Sequence, residues 1–340
     1  DKQILSIVAK ARAKIPYKVT NPAVEDATAA IEKVSSLPTG FVASDGGIQV
    51  YGMDDLIDYT EDMDWIIPGI LPKRGILYLA GPPNVGKSVF AQEMALRLCM
   101  GTDFVGFAHP EGRRLRVLNL SLEMRRMSLK QRWIDLRSSL TEEEKLWAKE
   151  NYLTYAEAYP LTFYNLKHLV PLATRVQISK PDVIFVDSAT VSVAKKLSDE
   201  EQVKESLENM DQIREFLDCA IVMNAHTRKS IPGSGHKPKE LDDLFGSAAI
   251  AANADSVIGL EREREKESEE VGLSIDVRFL KTRFKNDFSN STSYPVIMDR
   301  GTGLMRKSGQ IFNELIQAPV PSQSTAKKGP TARESFGFGL

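Results

Sequence analysis

The chain has 340 residues, enough for one large domain or two small ones, and its 42% hydrophobic and 26% charged residues are the ordinary balance of a soluble globular protein. A formal net charge of −2 excludes a globally polycationic nucleic-acid binder, so any contact with nucleic acid has to come from local basic loops. No apolar run reaches bilayer length, Asp1-Lys2-Gln3-Ile4-Leu5 does not read as a signal peptide, and Cys99 and Cys219 stand too far apart for a disulfide framework or a zinc pattern; a reducing, cytoplasmic setting with no membrane partner is expected.

Residues 1–60 carry few signals. The stretch 24–34 fits one helix and 40–52 reads as a Gly-rich loop, so an arm or small appendage is expected there. The core is expected over 61–310, entered by an apolar lead-in at 65–72, and 311–340, rich in Pro, Ser and Lys, reads as a flexible tail. Within the core, strands are predicted at 76–80, 115–122, 182–186, 220–225 and 256–260, and helices at 87–100, 124–139, 166–179, 200–217 and 244–253. Apolar strands without polar alternation, separated by helices, indicate an α/β fold with a mostly parallel sheet covered by helices on both faces. From 271 the pattern changes, and 271–280, 294–298 and 304–306 read as an antiparallel hairpin extension of that sheet.

The strongest chemical signal is Gly81-Pro82-Pro83-Asn84-Val85-Gly86-Lys87-Ser88, which satisfies G-x-x-x-x-G-K-[ST] at every constrained position. It lies between a buried strand and a helix that opens at Lys87-Ser88-Val89, an order that aims backbone N–H groups and a positive helix end at an anion. Lys87 would reach the β- and γ-phosphates of a nucleotide, and the Ser88 hydroxyl would hold Mg²⁺. Ligands of open α/β sheets bind at the carboxyl ends of the strands, so the polar residue ending each strand is the next thing to read. Val183-Ile184-Phe185-Val186 ends in Asp187, which suits either a Mg²⁺ partner or a helix cap. The strand at 115–122 runs into Glu123, which suits a general base for an attacking water or a surface cap on a helix whose core face would carry Met127, Leu129, Trp133, Ile134 and Leu136. The strand at 220–225 ends at Asn224-Ala225-His226; either polar side chain suits a γ-phosphate sensor, and His226 equally suits a backbone-bonded strand end. Lys281 and Arg283, taken alone, read as exposed basic residues alternating on an edge strand.

Taken together and in this order, the motifs resemble a RecA-type ATPase of the ring-forming hexameric helicase branch, closest to plasmid RepA-like helicases and the ATPase domain of DnaB-like replicative helicases. The similarity spans about 64–305 and rests on the lead-in with Pro68-Gly69, the loop Gly81 to Ser88, Ser121-Leu122-Glu123-Met124, the run ending in Asp187, and Asn224-Ala225-His226-Thr227-Arg228-Lys229. It continues through Leu244-Phe245-Gly246-Ser247 to Ala254-Asp255, and then Lys281-Thr282-Arg283. Residues 1–60 are too short for the N-terminal helical domain of DnaB-like helicases, which favours the RepA-like comparison.

The resemblance implies a RecA-like P-loop NTPase core that hydrolyses ATP with Mg²⁺, a homo-oligomeric, hexameric ring, and single-stranded DNA as partner. It implies that Glu123 is the catalytic base, that Asp187 partners Mg²⁺, that His226 senses the γ-phosphate, and that Lys281 and Arg283 reach into a neighbour's site as trans-acting cations. The loop after His226, with Arg228, Lys229, Lys237 and Lys239, stands where such proteins keep a DNA-facing loop. It has no aromatic residue, so its contact with a strand would be electrostatic. A RecA-like recombination protein and a regulatory ATPase of the same fold are the alternatives.

Overall fold

The computed structural model describes residues 53, 63–109, 112–124, 126–156, 161–165, 168, 179–193, 199–227, 248–262, 272–284 and 293–308. The helix expected at 24–34, nearly all of that at 166–179, the first part of that at 244–253 and the tail at 311–340 lie outside the described residues.

The lead-in folds as a small antiparallel hairpin, β1 (Trp65–Ile67) and β2 (Leu71–Pro72). Next come β3 (Ile76–Gly81), α1 (Lys87–Met100), β4 (Val117–Ser121), α2 (Arg126–Arg137), α3 (Glu142–Asn151) and β5 (Tyr152–Tyr155). They are followed by β6 (Val183–Asp187), α4 (Ala189–Ser192), α5 (Glu200–Leu217), β7 (Ala220–His226), α6 (Ala248–Asn253) and β8 (Ser256–Arg262), and then by β9 (Gly272–Thr282), β10 (Ser293–Asp299) and β11 (Met305–Lys307). One nine-stranded sheet takes the order β11-β10-β9-β8-β3-β7-β6-β4-β5. The run from β8 to β5 is parallel, and β9, β10 and β11 extend it antiparallel.

Why the central strands are continuous apolar runs is visible in β3, where all six residues are buried. Successive side chains of a strand point to opposite faces. Leu77 and Leu79 enter the core packed around α1, with Phe90, Met94 and Leu98. Ile76, Tyr78 and Ala80 enter the core on the other face, beneath Val203, Leu207, Met210 and Ile213 of α5. With both faces covered, no position is left for a polar residue until the strand ends.

α1 is buried nearly all round because the sheet lies under it and the segment after it folds back over it. Phe90 packs edge-on against Phe104 and Phe107, at centroid distances of 4.9 and 6.3 Å, and Phe107 meets Phe279 of β9 at 5.8 Å. Gly101, at φ 74°, ends the helix with its N–H on the carbonyl of Arg97.

Two expectations need correction. The helix after Glu123 buries Leu129 and Leu136, but Met127 and Ile134, expected on the same core face, are 76% and 53% exposed. Helix residues two positions apart differ by about 200° in direction, so 127 and 134 point away from the face that 129 and 136 share. The sequence reading also has no counterpart for α3 and β5, which add a sixth parallel strand beyond β4. Among the described residues, no helix is long and apolar enough to cross a membrane.

Candidate nucleotide site

The loop between β3 and α1 is shaped by two glycines. A Cβ on Gly81 would come within 2.5 Å of the Leu260 carbonyl on the neighbouring strand, so the exit from β3 admits no side chain. Gly86, at φ 109°, makes the left-handed step that turns the chain into α1. That helix has no side-chain cap at its start and no acidic residue in its first turn. Its leading N–H groups are therefore left to an external acceptor, and the positive end of the helix favours that acceptor being an anion.

Lys87 closes the loop from inside. Its ammonium donates to the carbonyls of Gly81 (2.9 Å) and Pro82 (2.8 Å) and to Nδ1 of His226 (3.2 Å). Burial lowers its pKa to about 8, against the opposing pull of Asp187 and Glu123. A bound polyphosphate would favour the charged form. Binding should then take up a proton above about pH 8, and affinity should fall as pH rises from there, by up to about tenfold per unit. Calorimetry at pH 8.5 in two buffers of different ionisation enthalpy reads this directly; equal heats in both would remove the linkage.

The strand ends bring the other groups alongside. In the sheet register Gly81 lies opposite His226, and Ser121 opposite Asp187. Asp187 is 8% exposed and is oriented by Asn224, whose Nδ2 donates to its Oδ1 at 2.9 Å. Ser188, fully buried, donates its hydroxyl to Oε1 of Glu123. The His226 pKa is lowered by burial and by the Lys87 ammonium. Because an ammonium only donates, Nδ1 of the ring accepts, and the neutral ring carries its proton on Nε2. That Nε2 lies 3.9 Å from Oε1 of Glu123, too long for a hydrogen bond and open to an intervening oxygen. The N–H of Thr227 then bonds the Gly81 carbonyl at 3.2 Å, fixing where the chain leaves the site.

A Mg²⁺ site beside phosphates needs few protein oxygens, since the phosphates and water supply the rest. Ser88, in the first turn of α1, and Asp187, at the end of β6, could hold it. The buried Ser121 Oγ and Asn224 Oδ1 have no partner among the described residues and could accept from the ion's waters. Among the described residues, no cluster of three or more His, Cys, Asp and Glu side chains could hold a metal by itself. The residues present therefore fit an ion bound mainly through its nucleotide.

Lys87, Glu123, Asp187 and His226 are thus gathered at one end of the sheet, with the loop Gly81 to Val89. Lys281 and Arg283 are not. Lys281 pairs in register with Val257 at the start of β8, and Arg283 donates its backbone N–H to the Asp255 carbonyl at 3.0 Å. Asp255 bonds Ile76, the first residue of β3, whereas the phosphate loop begins at the last. Five strand steps of ~3.3 Å separate the two, roughly 17 Å. Arg228, Lys229, Lys237 and Lys239 lie outside the described residues. Sequence reasoning missed Ser188 as the partner of Glu123 and Asn224 as the orienter of Asp187; the Ser directly after Asp187 was the available signal for the first.

The AAA domain family model matches residues 50–231, 182 of the 340 residues. Comparison with curated proteins gives no match. The solved ATPase domain of G40P superposes with a TM-score of 0.51 at 16% identity, covering 83% of this chain and 97% of that one. A KaiC-like protein of the hyperthermophilic archaeon Pyrococcus horikoshii superposes with a TM-score of 0.48 at 16% identity, covering 72% and 99%. At such identity the G40P likeness speaks for the fold, which is RecA-like as the motifs implied. With the family model matching more than half of its length, the chain belongs to the AAA domain family and is a P-loop ATPase of RecA-like fold.

Proposed function

We propose that this protein is an ATP-driven motor on single-stranded DNA, a replicative-type helicase that works as a homo-oligomeric, hexameric ring and hydrolyses ATP at the interfaces between subunits. One observation carries the reading. The two late cations, Lys281 and Arg283, sit at the end of the sheet remote from their own phosphate loop, with the Arg283 side chain 49% exposed. They cannot serve their own site, and a neighbouring copy is the partner to which they can be offered.

In this reading the loop Gly81 to Val89 and Lys87 hold the phosphates. Glu123, held by Ser188, accepts the proton of the attacking water. His226 stands between Lys87 and Glu123 and closely precedes in sequence the basic segment with Arg228, Lys229, Lys237 and Lys239, so in this reading a change at the γ-phosphate is passed to residues suited to DNA phosphates. Ser88 and Asp187 would hold Mg²⁺, which when bound would supply positive charge beside the phosphate oxygens. Arg283 of the adjoining copy adds positive charge where the transition state needs it.

The test is the ATPase rate with and without single-stranded DNA, at low and moderate salt. Stimulation that weakens with salt is expected, together with an ATP-bound particle of several copies by mass. No stimulation and no binding would point instead to a RecA-fold ATPase with a different partner. Replacing Glu123 by Gln should lower turnover by about 10²–10⁴-fold with little change in ATP affinity, read by steady-state kinetics beside nucleotide titration.

A further inference from the structure

We propose that Asp255 is a positioning residue for the trans-acting cation: it seats Arg283 for presentation to the neighbouring subunit and braces it against the first residue of β3. The inference rests on the interface reading above and adds a residue to it.

Asp255 lies between α6 and β8, and its side chain is 14% exposed. Its two carboxylate oxygens do different work. Oδ2 accepts the N–H of Ile76 at 2.8 Å, and Oδ1 accepts from the Arg283 guanidinium at 3.3 Å. Its backbone repeats the pattern, donating to the Ile76 carbonyl and accepting from the Arg283 N–H, both at 3.0 Å. One residue thus bonds the start of the central strand twice and the arginine twice.

The seat is completed by α6, whose late carbonyls take up the cations. Arg283 donates to the Ala252 carbonyl, and Lys281 donates to those of Ala251 (2.7 Å) and Ala252 (3.4 Å). Two cations sharing one carbonyl repel each other, and the Asp255 carboxylate is the anion beside both: it ion-pairs with Arg283 and interacts electrostatically with Lys281. Without that charge the guanidinium would keep only the Ala252 carbonyl and be freed to swing toward solvent, where its aim at a neighbouring phosphate is lost. Misplacement of a charged group by about 1 Å is enough to slow a reaction by about 10²-fold.

The experiment replaces Asp255 by Asn, which keeps an oxygen for the Ile76 N–H and removes the charge; Asp255→Ser reads the same way should the Asn protein not fold. Turnover at saturating ATP should fall by about 10²-fold, with KM and ATP affinity within about twofold of the parent. D255N combined with R283A should be no slower than R283A alone. Mixing D255N with K87A subunits should restore hydrolysis, because one supplies an intact phosphate loop and the other an intact arginine; a defect of folding would not be complemented. Parental turnover in D255N, an additive loss in the double variant, or loss of ATP affinity without rescue would each overturn the proposal. If R283A itself turns over ATP normally, the interface reading fails; if R283A is inactive while D255N is normal, only the role of Asp255 fails.

Discussion

Lys87→Ala should abolish ATP hydrolysis and weaken ATP binding without weakening the fold. The ammonium is held on two backbone carbonyls and on His226, aimed by the loop rather than by a salt bridge. Removing it takes away the one cation that the loop itself contributes, and the uncapped start of α1 cannot replace a full charge beside a γ-phosphate. Burial lowers the pKa of Lys87 to about 8, below the ordinary lysine value. A depressed lysine pKa means that the charged form opposes folding at neutral pH. Its loss should therefore leave the thermal midpoint unchanged or raised while turnover disappears. Calorimetric unfolding beside an ATPase assay separates the two effects. A variant that lost both together would make Lys87 a structural residue.

Arg283→Ala should separate binding from chemistry in the opposite way. Its own phosphate loop lies roughly 17 Å away along β3, so the variant keeps every group that grips ATP within its own chain. In the proposed reading it loses charge delivered to the transition state at the next site, an effect that can be worth ~10³-fold in turnover. Steady-state kinetics should show kcat falling by that order with ATP affinity nearly intact, and the fold should be retained because the side chain is half exposed and Lys281 remains beside Asp255. Arg283→Lys should not restore the rate, since an ammonium cannot reproduce the planar fork that meets two phosphate oxygens at once.

The parts of this molecule that could be read from sequence are those where local physics is decisive. The central strands are buried on both faces, so β3, β6 and β7 appear as unbroken apolar runs that end where the sheet ends. Because ligands gather at those ends, the polar residues there, Asp187 and His226, could be named before any fold was known. The loop Gly81 to Ser88 was legible because a left-handed turn and a close backbone approach demand glycine at fixed positions.

What escaped is instructive for the opposite reason. β5 is an edge strand of four residues, none of them buried, so it has no continuous apolar signature. α3 has a weak apolar stripe and no buried residue, yet its start was there to be read. Thr141 and Glu144 form a reciprocal capping box, and the sequence Thr141-Glu142-Glu143-Glu144 carries that signature openly. Met127 and Ile134 were misassigned because apolar identity was counted without following the turn of the helix. Ser188 and Asn224 serve by holding Glu123 and Asp187, and such partnerships depend on which strands are neighbours, which one strand's pattern does not carry. The same holds for Asp255, whose bonds join residues 179 positions apart and 28 positions apart.

The measurement that bears most directly on the account is hydrolysis by a mixture of two inactive variants, Lys87→Ala and Arg283→Ala, each silent alone. Combined, they form interfaces at which an intact phosphate loop from one copy meets an intact arginine from the other, and ATP turnover should reappear in proportion to such pairings. Turnover by Arg283→Ala alone at the parental rate, or a mixture that stays silent although both variants fold and assemble together, would contradict it.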